Sequence, residues 1–143
     1  MCALADELNN ESFWSQICLD ESGRVTVVLF AHRRSLQYLK SYPKVLLLDC
    51  TYKTNKYKTP LLVIVGIDAC QRSFCVASAS LSGEKENDFI WVLGQLRGIY
   101  ELHGVALPSV ILTDRCLACM NAVSSCFPES TLLLCLWHIN RAV

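Results

Sequence analysis

The chain has 143 residues, 52% hydrophobic and 18% charged, which excludes global disorder and fits one domain with a real core. Thirteen Lys and Arg balance thirteen Asp and Glu, so net charge gives no support to a domain that holds nucleic acid by overall basicity. The odd count of nine cysteines and the lack of a secretory signal read as reduced thiols of an intracellular protein, and no apolar run nears the ~20 residues of a membrane span.

Residues 1–29 form a poorly specified N-terminal segment, acidic over 1–22, with a helix expected around Phe13–Leu19 and broken by Gly23. Arg24–His32, rich in Val, Leu and Phe, fits a strand that leads into the main domain, residues 30–143. Ser35–Tyr42 fits a helix with Leu36 and Leu39 on one face, stopped by Pro43. Lys44–Thr51, Pro60–Asp68 and Ser73–Ser80 are three apolar strands joined by short polar links, the pattern of an antiparallel meander.

A helix follows from about Glu84 to Leu102, with Ile90, Leu93, Leu96, Arg97 and Tyr100 at helical spacing. Glu84, Glu86 and Asp88 at its start suit the helix dipole, and His103-Gly104 ends it. Ser109–Thr113 is a strand, Leu117–Ser125 a helix closed by Phe127-Pro128, and Thr131–Leu136 a further strand. The main domain therefore reads β-β-β-α-β-α-β, an α/β chain without internal repeats.

Two carboxylates stand out. Asp49 ends the apolar run Val45-Leu46-Leu47-Leu48, and Asp114 ends Val110-Ile111-Leu112 with Thr113. A carboxylate on a buried strand is costly unless paired or bound to a cation. Two on neighbouring strands could hold Mg²⁺ or Mn²⁺, which take oxygen ligands together with substrate phosphates. The competing account is that Asp is a good turn former and N-cap, which would explain Asp114 before a helix without any metal.

Residues 33–58 carry Arg33, Arg34, Lys40, Lys44, Lys53, Lys56 and Lys58 against one acid, Asp49. This reads either as a solvated basic face or as a phosphate-facing rim around that carboxylate. Cys135 and His138 have metal-ligand spacing, but zinc wants four ligands, so a buried strand Cys with a nearby His is the better reading. Cys50, Cys75 and Cys135 lie in apolar strand runs and are expected to be buried small hydrophobes. Asp68 is explained by a hairpin turn, and Trp91 and Trp137 by packing.

Several blocks carry a resemblance. Asp49-Cys-Thr-Tyr-Lys-Thr-Asn55 with Tyr57-Lys-Thr-Pro-Leu-Leu62 resembles the first catalytic block of Mutator-like (MULE) transposases. Ser82-Gly83-Glu84 with Asp88, Phe89 and Trp91 is similar to that family's link into its first helix. Val110-Ile-Leu-Thr-Asp-Arg115 with Ala118 and Met120-Asn-Ala122 resembles the second catalytic block, and Leu133-Leu-Cys-Leu-Trp-His-Ile139 its Cys/Asp-x-x-His element. The match is co-linear from about Phe30 to Val143.

The resemblance implies an RNase H-like core with an Asp-Asp-Glu triad and two divalent metals, cutting DNA at transposon ends and joining the freed 3′ ends to target DNA. It makes Asp49 and Asp114 the first two triad members and Cys135 with His138 the signature pair. The basic cluster beside the first carboxylate gives Lys53, Lys56, Lys58 and Arg115 as the residues expected to face DNA phosphates, and the resemblance implies a nuclear protein that allows a homo-oligomer at full length. The family's catalytic Glu falls well beyond the Cys-x-x-His element, and this chain runs five residues past His138. The expectation is thus an RNase H-like core truncated at its C-terminal side and inactive alone. The alternative is a domesticated, non-catalytic protein that binds DNA or regulates transcription, as in the plant far-red-response regulators that resemble this family. A third class is an unrelated intracellular zinc module. Cys116 and Cys119 stand where the family more often has polar or small residues.

Overall fold

A computed structural model of the chain describes residues 13–51, 60–83, 85–114 and 116–134. They form an α/β structure in which strands β1 (Phe13–Leu19), β2 (Val25–His32), β3 (Val45–Thr51), β4 (Leu61–Ile67), β5 (Ser73–Ser80), β6 (Val110–Thr113) and β7 (Thr131–Leu134) make one mixed sheet. Helices α1 (Arg33–Ser41), α2 (Glu86–His103) and α3 (Leu117–Cys126) complete the described residues. The strand order is β1-β2-β5-β4-β3-β6-β7.

The predicted meander is present: β3, β4 and β5 pair antiparallel in succession. All three lie inside the sheet with a strand on each side, and β3 and β4 are nearly continuous apolar runs whose burial alternates along the strand. After β5 the chain crosses over through α2 and lays β6 parallel to β3, and a second crossover through α3 lays β7 parallel to β6. The first and fourth strands of the predicted core are therefore neighbours.

The helix over Phe13–Leu19 is not formed. These residues are β1, paired antiparallel with β2 along its length. The physical reason lies in the link. Asp20 accepts the backbone N–H groups of Ser22 and Arg24 on Oδ1, both at 2.9 Å, and Gly23 takes a left-handed φ of 84°. That turn folds two strand-prone runs into a hairpin, and β2 then joins β5 to extend the sheet.

Strand residues alternate between the two faces. In β3, Leu46, Leu48 and Cys50 are buried while Val45, Leu47 and Asp49 are half-buried; Ile111 and Thr113 of β6 are buried while Val110, Leu112 and the following Asp114 are half-buried. The buried row joins Leu36 and Leu39 of α1, Phe89, Leu93, Leu96 and Tyr100 of α2, and Ala122 and Val123 of α3 in a single core cluster. The helices thus lie on the Leu48 side of the sheet, and the Asp49 side is the more open one. Helix α2 buries residues at i, i+3, i+4 and i+7 from Phe89, and ends at Gly104, whose φ of 67° suits a left-handed cap.

Cys75 is exposed, against the expectation of burial. The β4–β5 register shifts between Ile64 and Val65, so Val76 and Ala77 are both buried and Cys75 turns to the outer face. A bulge of this kind inserts one residue and reverses the alternation beyond it.

Candidate metal site

The site is built from the C-terminal ends of two parallel neighbours. Val45 pairs with Val110, Leu46 with Ile111, Leu47 with Leu112 and Leu48 with Thr113. The paired register ends there, and Asp49 and Asp114 are the next residues along the two strands' chains. Adjacent strands lie about 5 Å apart, so the two residues leave from neighbouring strand positions. Both residues are half-buried, like Leu47 and Leu112 two positions before them. On its other flank Asp49 faces Val63 of β4.

Asp114 is oriented locally. Its Oδ1 accepts the backbone N–H of Cys116 at 3.1 Å, and Cys116, with φ −69° and ψ 109°, is the residue that caps α3. Asp114 therefore serves the helix start from two residues upstream of the cap rather than as the cap itself. A carboxylate has further lone pairs, so this bond fixes its direction without exhausting its acceptor capacity.

The donor chemistry of two half-buried carboxylates fits a hard cation such as Mg²⁺ or Mn²⁺, which takes oxygen ligands. Among the described residues, no three His, Cys, Asp or Glu side chains gather as a metal-holding set.

Behind the pair, on the core side, Thr113 donates its hydroxyl to the Sγ of Cys119 across 3.5 Å. Burial pushes the Cys119 thiol up to about 12, an effect that the Thr113 hydroxyl opposes and that the neighbouring Cys116 and Asp114 reinforce. Lys53, Lys56, Lys58, Arg115, Cys135 and His138, the other residues singled out in the sequence, lie outside the described residues.

Asp68, at the far end of β4, is structural as predicted. Its Oδ1 accepts the N–H groups of Cys70 and Arg72, both at 2.9 Å, and its Oδ2 accepts the Tyr38 hydroxyl at 3.0 Å. The contacts of Cys116 with Asp114 and of Thr113 with Cys119 escaped the sequence reading. The one available signal was the Asp-x-Cys-x-x-Cys run at a strand-to-helix junction. No helix among the described residues is long and apolar enough to cross a membrane.

Residues 45–142 match the family model of the MULE transposase domain. Among curated proteins the chain is similar to Protein FAR-RED IMPAIRED RESPONSE 1 of Arabidopsis thaliana, with 29% identity over 131 residues that cover 91% of this chain and 15% of that protein. It is similar to Protein FAR1-RELATED SEQUENCE 6 of the same plant, with 25% identity over 137 residues, 96% of this chain and 19% of that protein. It is also similar to PKS-NRPS hybrid synthetase cheA of Chaetomium globosum, with 26% identity over 108 residues, 76% of this chain and 2% of that protein. The chain spans less than a fifth of the length of these relatives.

Proposed function

The chain belongs to the MULE transposase domain family, and we propose that it is a transposase-type DNA-processing domain with an RNase H-like core, in which Asp49 and Asp114 hold a divalent cation against DNA. The observation that supports this reading is the parallel β3–β6 register, in which Leu48 pairs with Thr113 and Asp49 and Asp114 are the residues that follow. The core order β5-β4-β3-β6-β7, three antiparallel strands followed by two parallel ones, supports the RNase H-like assignment.

Asp49 and Asp114 bind Mg²⁺ or Mn²⁺ through their carboxylate oxygens, and the Cys116 N–H holds Asp114 in direction for that task. When bound, such a cation supplies charge stabilisation to the attacking and leaving oxygens of a phosphoryl transfer. Lys53, Lys56, Lys58 and Arg115 orient DNA phosphates by charge, the part of a DNA interface that positions the duplex without reading its sequence. The substrates of the whole protein are transposon ends and target DNA, its location is the nucleus, and residues 30–143 are its catalytic-type unit.

A second reading keeps the DNA contact and drops the cleavage. It is favoured by the similarity to Protein FAR-RED IMPAIRED RESPONSE 1 and to Protein FAR1-RELATED SEQUENCE 6. Duplex DNA binding with and without Mn²⁺ separates the two. The first reading expects tighter binding with Mn²⁺, lost in Asp49→Asn, while metal-independent binding survives. DNA binding indifferent to Mn²⁺ supports the second reading. A chain that binds no DNA under either condition contradicts both.

A further inference from the structure

Cys116 and Cys119 lie at the start of α3 in a Cys-x-x-Cys arrangement, Cys116 as the capping residue and Cys119 as the third helical residue. The Cys116 carbonyl accepts the Met120 N–H at 2.9 Å, so the first turn of the helix is closed around the pair. Cys116 is half-buried against the core cluster, whereas Cys119 is 2% exposed beneath it. Leu117 and Ala118 are the residues between them, so the pair spans the first turn of the helix. In the structure neither is in a disulfide.

From this placement we infer that Cys116 and Cys119 form a reversible dithiol–disulfide couple that takes small disulfides such as oxidised glutathione and reports its state to Asp114. The half-exposed Cys116 is the sulfur that a small molecule in solution can reach. Its sulfur attacks one sulfur of the oxidised glutathione, giving a mixed disulfide and releasing one reduced glutathione. The Cys119 thiol, which burial keeps protonated, gives up its proton to the departing glutathione sulfur as its own sulfur attacks Cys116, closing the Cys116–Cys119 bond and releasing the second reduced glutathione. Two protein thiols are oxidised, one small disulfide is reduced to two thiols, and the two protein protons leave on those thiols.

The geometry makes this closure feasible but not relaxed. Residues three apart in a helix hold their Cβ atoms about 5–6 Å apart, and a disulfide needs about 3.5–4.5 Å. Cys116 is already non-helical, at φ −69° and ψ 109°, so the closing movement falls on the cap and not on the body of α3. Strained, accessible disulfides are the readily reduced ones, which suits a switch better than a structural staple. The movement reaches Asp114 because the N–H it accepts on Oδ1 is that of Cys116. This last consequence rests on the reading of Asp114 as a cation ligand; formation of the bond itself does not.

The test uses the full chain equilibrated in glutathione buffers of graded oxidised-to-reduced ratio, quenched by alkylation and mapped by mass spectrometry with fragmentation. The expected product has Cys116 and Cys119 joined, two hydrogens lighter and protected from alkylation, and is fully reversed by reduced glutathione. Cys119→Ser is expected to trap glutathione on Cys116, and the more exposed Cys116→Ser to leave Cys119 reduced at every ratio. Pairing of Cys116 with Cys126 or Cys135 instead, or a wild type that stops at the mixed disulfide, would overturn the couple. Mn²⁺ titration of the oxidised and reduced forms is a separate readout. Closure without a change in Mn²⁺ affinity overturns the link to Asp114 and leaves the couple standing.

Discussion

Tyr100 of α2 donates its hydroxyl to the carbonyl oxygen of Pro43 across 2.7 Å, joining residues 57 apart in the chain. Pro43 stops α1 and precedes β3, so this bond ties the central helix to the chain just before the strand that carries Asp49. Tyr100 is fully buried and packs edge-on against Phe127. Tyr100→Phe keeps the ring and leaves the Pro43 carbonyl without that donor. The expected loss is about 1–2 kcal/mol of unfolding free energy, read by urea titration at constant slope. A variant as stable as wild type would show that the bond contributes nothing net.

Gly66 in β4 is a packing requirement. A Cβ there would lie 2.5 Å from Cζ of Phe74, whose ring covers the position and meets Tyr38 edge-on with centroids 4.6 Å apart. Gly66→Ala is expected to cost about 1–3 kcal/mol by overpacking. The same change in a Phe74→Leu background should cost clearly less, because the obstructing ring is gone. Equal costs in the two backgrounds would contradict the contact.

Much of this arrangement is legible in the sequence, and the reasons can be named. Leu46–Leu48 and Ile111–Leu112 announce themselves as interior strands by apolar continuity, and the β-β-β-α-β order sets β3 beside β6. Phe13–Leu19 is too short and too mixed to declare its partner; only the Asp20–Gly23 turn marks it as half of a hairpin. The outward turn of Cys75 follows from a bulge that depends on how β4 and β5 settle, and local composition carries no mark of it. The bond from Cys116 to Asp114 likewise depends on where the α3 cap falls, a matter of one or two residues.

Asp68 makes acid stability sensitive to a single hairpin. The Arg72 N–H, first, and then the Tyr38 hydroxyl, the Cys70 N–H and the Arg72 charge hold its carboxyl below the ordinary 3.8, against the desolvation that raises it. A depressed folded value means that the unfolded chain binds the proton more readily. Its stabilisation is therefore fully present above about pH 4 and is lost as pH falls through the lower folded value. Melting temperatures of wild type should drop over that acid window, and Asp68→Asn should start lower at neutral pH and show a flatter profile. Parallel profiles would contradict the assignment.

If Lys53, Lys56 and Lys58 meet DNA phosphates, affinity should fall as salt rises, and their joint replacement by Ala should make the slope of log affinity against log salt shallower by about 2–3. An unchanged slope would make them solvated surface lysines.

The central claim is that Asp49 and Asp114 act as one cation site because β3 and β6 run side by side. Mn²⁺ titration of the full chain, followed by the electron paramagnetic resonance of the unbound ion, tests it most directly. Asp49→Asn and Asp114→Asn should each weaken binding by about tenfold or more, since affinity for a hard cation follows the number of charged oxygen ligands. The two together should cost little beyond either alone, and the exposed Glu101→Gln should leave binding unchanged. Mn²⁺ affinity untouched by either Asp substitution, or lost equally on Glu101→Gln, would contradict the account.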